Sequence, residues 1–184
     1  RATTSSQAKL AMRILSVVTK LTVEARCSAV SAARGLPQSR ISPVATRQEA
    51  LDLYDKAFAE HDFAYLLAAC IEPYGQRNVV FLAPGGSMSE EAYWGEYDDS
   101  QGRYYDIGVF ESYSSEITAE TQVEDTKAIE EELLQAYGYS CTVEEAYEVT
   151  YNRMASGTEG TAVNEGYRAQ MVLVDGSWYI SKMW

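Results

Sequence analysis

His61 stands directly before Asp62, and the two side chains are those of a general base and of the carboxylate that orients it. A carboxylate bonded to one imidazole nitrogen fixes the tautomer in which the other nitrogen accepts a proton. Adjacent residues do not face one another on a helix, however, and this pair interrupts the apolar pattern of its segment. We therefore interpret it as a helix-ending turn with a surface histidine.

A second group of candidate ligand residues follows in the middle of the chain: Asp98, Asp99, Ser100, Gly102 and Asp106. Its composition resembles that of a calcium loop, in which carboxylate and hydroxyl oxygens surround the ion. An EF-hand loop ends in a bidentate glutamate, and Val109 or Phe110 stands at that place here. The sequence therefore predicts no metal site.

The three cysteines are spread over the chain as Cys27, Cys70 and Cys141. Together with one histidine they lack the closely spaced pairs of a zinc site. A Cys70–Cys141 disulfide would require an oxidising compartment, and two buried free thiols are the favoured alternative. No nucleophile elbow, phosphate-binding loop or dinucleotide fingerprint occurs in the sequence, so no cofactor is predicted.

Tyrosine is frequent, with 14 residues beside three tryptophans. A tyrosine ring offers a large contact area and a hydroxyl that orients a partner, which suits recognition, yet it is also a common core residue of strands. Both interpretations stay open for Tyr147, Tyr151 and Tyr167. For Tyr104, Tyr105 and Tyr113 we favour a cavity rim or a contact surface.

The charges divide the chain into two parts. Residues 1–47 carry eight Lys and Arg against one acid, and residues 48–184 carry seven against 26. Binding to nucleic acid depends on basic side chains that release counterions from the phosphates. The acidic part has no such basic face, so we expect no nucleic-acid partner.

The basic part, residues 1–45, is predicted to be a leader and linker outside the fold. Its apolar stretch LAMRILSVVTKLTV contains Arg13 and Lys20, so we expect a protein that does not span the membrane. The stretch matches a damaged secretory signal, an organellar transit peptide, or a segment without a sorting role. We expect an extracytoplasmic protein, secreted or surface-anchored, with organelle targeting as the alternative.

Residues 46–184 are predicted to form a single α+β domain whose first half is helical. Thr46 and Glu49 have the spacing of a capping box, in which each side chain bonds a backbone amide at the start of a helix. A more apolar helix spans Phe63 to Ile71 and ends near Pro73. These two helices need a second layer against which to bury their apolar faces.

Further along, the apolar period changes from helical to alternating. Ser87 and Glu90 form a second capping box, and the helix that they begin should end between Ser100 and Gly102. After it, alternation predicts strands. Their inward residues are Tyr105, Ile107 and Val109, then Ile117, Ala119 and Thr121, then Val143, Tyr147, Val149 and Tyr151, and last Tyr167, Ala169, Met171 and Leu173.

One helix and one hairpin complete the second half. Glu124 to Ala136 returns to the helical period, with Gly138 as its left-handed stop. Asp175–Gly176 predicts a tight hairpin turn, because both central residues of that turn need a positive φ. Trp178 to Trp184 then runs back as the last strand. We therefore expect N-terminal helices packed on an antiparallel sheet.

The segments EALDLYDKAFAEHDFAYLLA and VDGSWYI resemble the first two helices and the last hairpin of the nuclear-transport-factor-two-like, or cystatin-like, superfamily. The resemblance implies a curved sheet that wraps around a long helix as a cone, with a cavity at the open end. More narrowly, EELLQAYGYSCTVEEAYEVTYN followed by LVDGSWYI resembles uncharacterised secreted or lipoprotein domains of Gram-positive, gut-type bacteria, which carry no established activity.

The superfamily includes steroid isomerases, polyketide cyclases and dehydratases, so the resemblance also implies an enzyme as one alternative. Tyr54 matches the hydrogen-bonding tyrosine of the isomerases, and Asp62 matches an aspartate that many members carry. Such chemistry needs a second carboxylate as base, and Glu72 is the one candidate in the corresponding stretch. We expect this carboxylate, at a helix end, to be solvated instead.

Our leading hypothesis is a non-catalytic binding or interaction domain that holds a small molecule or a peptide in a helix-on-sheet cavity. It rests on a complete fold pattern that lacks a complete catalytic set. The residues expected to line that cavity are Tyr54, Phe58, Tyr147, Tyr151, Met171 and Trp178. A structural homodimer that associates through the outer face of the sheet is a further alternative.

Overall fold

A computed structural model of the chain describes residues 43–79 and 88–184, so most of the basic leader lies outside the described residues. The fold begins slightly before the expected boundary at Thr46. The Val44 amide donates to the Ser177 hydroxyl at 2.9 Å, and its carbonyl accepts from the Trp178 amide. Val44 is 4% exposed, which makes it part of the core.

Five helices occur in the described residues. They are α1 (Arg47–Ala59), α2 (Phe63–Ala69), α3 (Glu72–Val79), α4 (Glu90–Tyr105) and α5 (Thr126–Tyr137). The capping box of α1 is confirmed, because Thr46 accepts from the Glu49 amide and Glu49 accepts from the Thr46 amide. None of these helices has the length and the apolar character that a membrane-crossing helix requires.

The helical half differs from expectation around Pro73. The structure ends α2 at Ala69 and begins α3 at Glu72. Pro73 thus lies in the first turn of a new helix, where backbone amides have no partner within the helix and a missing N–H costs nothing. Of the predicted Ser87–Glu90 box, Ser87 lies outside the described residues, and the N-cap of α4 is Ser89, which accepts from the Ala92 amide.

The strand predicted across Tyr105, Ile107 and Val109 is wrong. Helix α4 continues to Tyr105, and Asp106 ends it in the left-handed conformation, with φ of 56°. Ile107 is buried in the connection that follows, and β1 begins at Phe110. Five alternating residues are too few to separate a strand from a helix end followed by one buried loop residue.

Four antiparallel strands form one sheet in the order β1-β2-β3-β4: β1 (Phe110–Gln122), β2 (Glu145–Gly157), β3 (Gly160–Val174) and β4 (Ser177–Met183). The predicted turn between β3 and β4 is confirmed, because Asp175 and Gly176 have φ values of 50° and 71°. Helix α5 also agrees with expectation and ends at Gly138, which has φ of 71°. The α+β class is therefore correct.

Helices cover both faces of the sheet. Helix α1 places Ala50 and Leu51 against one face of β2, β3 and β4, where Val149, Met171 and Ile180 are buried. On the other face, α5 places Ile129 and Leu133 against the buried residues Ala146, Val172 and Val174. Part of the outer face of β3 is thus buried under α5.

Helix α1 also protects the free edge of β1. The Gln48 side-chain amide donates to the Ser115 carbonyl at 2.7 Å and accepts from the Ile117 amide at 3.2 Å. These are backbone groups that a further strand would otherwise bond. Helix α1 contacts β4 as well as β1, so it crosses the face of the sheet from one edge strand to the other.

Candidate functional site

The six residues expected to line a ligand cavity pack against protein between α1 and the sheet: Tyr54 and Phe58 belong to α1, and Tyr147, Tyr151, Met171 and Trp178 lie on the strands. Tyr147 and Trp178 hold Arg47, whose guanidinium carbon is 4.0 Å and 4.7 Å from their ring centroids. Arg47 also forms two hydrogen bonds with Glu120, at 2.6 Å and 2.7 Å. This group joins the start of α1 to the sheet.

Phe58 and Met171 belong to the core. The Phe58 ring stacks on Tyr97 with centroids 4.8 Å apart and meets the edge of Trp94 at 5.8 Å. Met171 is 0% exposed, between α1 and the sheet. Neither side chain leaves room for a ligand at its own position, because each is surrounded by other buried apolar groups.

Tyr54 and Tyr151 surround Arg153 of β2, which sequence reasoning did not identify. The guanidinium carbon lies 5.4 Å from the centroid of each of these two rings and 4.6 Å from that of Tyr113. Tyr167 completes the group at 5.5 Å. The faces of aromatic rings attract a cation, and more strongly where water is excluded. The Arg153 side chain is 11% exposed, so these rings replace most of its water.

Asp55 provides the opposite charge beneath this group. Its carboxylate lies 3.4 Å from the Arg153 guanidinium and is 5% exposed. Neither carboxylate oxygen has a hydrogen bond of ordinary geometry from the described residues. Burial raises the pKa of Asp55, although Arg153 and Ser115 act against that rise. Burial lowers the pKa of Arg153, and Asp55 with the tyrosines raises it by more.

Hydrogen bonds between tyrosines close the space around this ion pair. The Tyr97 hydroxyl donates to Tyr113 at 2.9 Å, and the Tyr113 hydroxyl donates to Gln101. The hydroxyls of Tyr105 and Tyr167 lie 3.3 Å apart. Burial raises the pKa of both Tyr97 and Tyr113, so these phenols stay neutral donors. This interior is a packed polar network.

Of the three residues of the enzyme alternative, Tyr54 alone belongs to this network. Asp62 is the N-cap of α2 and accepts from the Ala64 amide at 2.8 Å. Glu72 is exposed at the start of α3, where its carboxylate accepts from the Gln76 side chain. The structure therefore gives each of the two carboxylates a local role at a helix start.

His61 is an exposed residue in a left-handed turn, with φ of 52°, as its position between two helices indicated. It stacks on Trp94 and pairs with Asp98 at 2.9 Å. Asp98 and the other four residues of the calcium-like group lie on α4 or at its C-terminal cap. A helix does not bring these oxygens around one point as an ion-binding loop does.

The described cysteines are free thiols. Cys70 is buried, and burial raises its pKa well above the ordinary thiol value. Cys141 is half-buried, and burial raises its pKa too. The favoured alternative of free thiols is thus confirmed, with one thiol less buried than expected.

A cavity of about 230 Å³ lies on the opposite face of the sheet, between α3, α5, Gln170 of β3 and the C-terminal end of β4. Its apolar lining comes from Ile129, Leu133, Tyr137 and Met183. The first two are buried, at 4% and 3% exposure, so they form the floor. None of the six expected ligand residues lines this cavity.

Polar side chains make up the rest of the lining: Tyr74, Arg77, Glu132, Gln170, Ser181 and Lys182. Lys182 pairs with Glu132 at 3.1 Å, and the Ser181 hydroxyl donates to the Gln170 side chain at 2.9 Å. Burial raises the pKa of Tyr74 to about 12, so its phenol is neutral near pH 7. The cavity thus combines an apolar floor with a polar, mostly hydrogen-bonded wall.

Comparison of the chain with protein-family models, with curated proteins and with solved structures finds no match. The resemblance to the nuclear-transport-factor-two-like superfamily therefore stays a prediction.

Proposed function

We propose that this chain is a binding domain that holds a small organic molecule in the cavity between α5 and the sheet. The observation that supports the proposal is the cavity itself, about 230 Å³ with an apolar floor and convergent polar groups. Ligand sites of proteins combine these two features. The site is a helix-on-sheet cavity, as the leading hypothesis proposed, but it lies on the other face of the sheet.

The volume favours a small molecule over a folded peptide segment. Drug-sized ligands occupy cavities of about 300–1,000 Å³, so this one suits a metabolite of about ten non-hydrogen atoms. At about 0.4–0.55 kcal/mol for each atom, or about 4–5.5 kcal/mol in all, such a ligand binds with a Kd of about 0.1–1 mM.

The charged groups of the cavity lining favour a binding function over a catalytic one. Within the described lining, Glu132 is the single carboxylate, and Lys182 neutralises it. Proton abstraction from carbon requires a base together with a group that stabilises the oxyanion. We therefore propose a non-catalytic domain, and we extend the proposal to an exported or surface protein on the basis of the leader and of the resemblance to secreted domains.

Filling the cavity should abolish binding. In the Gln170→Trp variant the indole occupies the space that the ligand would use, whereas Thr150→Trp places the same side chain on the same face of the sheet outside the lining. We expect the full chain and the Thr150→Trp variant to bind, and Gln170→Trp to lose binding at least tenfold.

The measurement is ligand-observed NMR with a panel of phenol, indole, cyclohexanol, phenylacetate and hexanoate, after circular dichroism has established that both variants fold. Loss of binding in Gln170→Trp alone supports the site. A full chain that binds no member of the panel below about 1 mM contradicts the proposal. Equal binding by both variants contradicts it as well.

A further inference from the structure

Arg77 differs from every other basic side chain of the acidic part in its electrostatic environment. Residues 47–184 contain eight Lys and Arg, and seven of them pair with a carboxylate within 4.0 Å: Arg47, Lys56, Arg103, Lys127, Arg153, Arg168 and Lys182. Arg77 has no ion pair with any described residue. In residues 47–184, where acids outnumber bases by 26 to eight, an arginine without an ion pair to any described residue is unexpected.

This unpaired cation lies at the cavity. Arg77 lines it from α3 and is exposed, while Ile129 and Leu133 of α5 line it and are buried. The guanidinium therefore lies at the open side of the cavity, and the apolar groups form its floor. A second cation, Lys182, stands in the same wall, and its charge is already balanced by Glu132.

We infer that the ligand of this cavity is a small monocarboxylate, with its carboxylate on Arg77 and its apolar part on the floor. The inference rests on the proposed function and adds the chemical class of the ligand. A guanidinium offers parallel N–H donors that match the two oxygens of a carboxylate. One negative charge balances the one uncompensated positive charge of the lining.

The rest of the lining is compatible with this ligand. Tyr74 is neutral, because burial raises its pKa to about 12, and it therefore does not repel an anion. The Glu132 carboxylate is held 3.1 Å from Lys182, which screens its charge from the ligand. A larger anion such as a phosphorylated sugar has no use for an apolar floor, and it carries a second charge that nothing in the described lining balances.

The test compares acids with amides of the same shape. Phenylacetate and hexanoate are measured against phenylacetamide and hexanamide by calorimetry or by NMR titration, with the full chain at neutral pH. We expect each acid to bind about two- to fivefold more tightly than its amide, the contribution of an ion pair with an exposed guanidinium.

Two variants locate the anchor. Arg77→Gln should lose the preference for the acid and keep the affinity for the amide. Arg103→Gln is the matched control, since Arg103 is an exposed arginine of α4 that pairs with Asp99 outside the cavity, and it should keep the preference. Circular dichroism establishes that both variants fold.

The possible results separate the inference from the proposed function. If amides bind as tightly as acids, the cavity is a binding site and the carboxylate inference is wrong. If the preference persists in Arg77→Gln, the anchor is not Arg77 and the inference is again wrong. If neither acids nor amides bind, and phenol, indole and cyclohexanol do not bind either, then the proposed binding function and the carboxylate inference are both wrong.

Discussion

Replacement of Arg153 by methionine is expected to destabilise the domain by about 3–5 kcal/mol at neutral pH, because it leaves the Asp55 charge buried without a partner. The Asp55 side chain is 5% exposed, and neither of its carboxylate oxygens has an ordinary hydrogen bond from the described residues. Arg153 is thus its main source of compensation, at 3.4 Å. Methionine keeps much of the side-chain volume, so the effect should be mainly electrostatic.

The loss of stability caused by Arg153→Met should depend on pH, and the direction of this dependence follows from the folded-state pKa of Asp55. Burial already raises the folded-state pKa of Asp55, and Arg153 opposes that rise. Without Arg153 the folded pKa is higher still. A carboxyl whose folded pKa exceeds its unfolded value of about 3.9 favours the folded state when protonated, and this contribution is lost as pH rises through the folded pKa. The variant should therefore be closest to the unsubstituted chain near pH 5 and furthest from it near pH 8.

Urea denaturation at both pH values measures the effect, with two further variants as references. The double variant Asp55→Leu, Arg153→Met removes both charges and should recover most of the loss. Arg168→Met removes one member of an exposed pair with Glu148, whose side chains are 53% and 40% exposed, and should cost at most about 1 kcal/mol. A double variant no more stable than Arg153→Met at pH 8 would show that the tyrosine contacts, not the charges, carry the stability.

The sheet half of the fold could be predicted because its signals are local. Asp175–Gly176 specifies a turn through two positive φ values, and the alternation of Tyr167, Ala169 and Met171 specifies which face of β3 is buried. Thr46 and Glu49 likewise act over three residues. Each signal is complete within a few positions, so no knowledge of the partner strand or helix is required.

The candidate site was missed because its parts are distant in the sequence and ordinary in type. Alternation predicts that the Gln170 side chain lies on the outward face of β3, and it does lie on that face. Whether an outward residue meets solvent or a second helix depends on where α5 docks, which periodicity does not specify. Arg77 stands out because it pairs with no described carboxylate. Whether a charge is paired depends on where the other charges lie in three dimensions, which the sequence does not specify.

Arg153 and Asp55 were missed for a related reason. Asp55 stands between Tyr54 and Lys56 in a helix, where a carboxylate is usually solvated. Arg153 lies two residues after Tyr151 and pairs in regular register with β1, so it is on the same face of β2, but an arginine is rarely buried and nothing in the sequence indicates its partner. Their pairing joins α1 to a strand almost one hundred residues later, and no local pattern reports it.

Substitution of Gly102 by alanine should destabilise the fold by about 2–4 kcal/mol, although alanine normally strengthens a helix. Gly102 is buried in α4, and a Cβ added there would overlap the carbonyl oxygen of Gly108. The Gly108 oxygen is part of the backbone of the short connection to β1, and it cannot rotate away as a flexible side chain would. Helix α4 would have to separate from that connection, which carries the buried Ile107.

Gly95 of the same helix provides the control, because a Cβ added there meets no atom within 4 Å. Gly95→Ala should therefore stabilise the domain by about 0.5–1 kcal/mol, through the lower backbone entropy of the unfolded chain. Urea denaturation of the two variants should give shifts of opposite sign. If both substitutions stabilise the domain, α4 does not pack on Gly108. If both destabilise it, the effect of Gly102→Ala is not specific to the close approach, because the open position shares it.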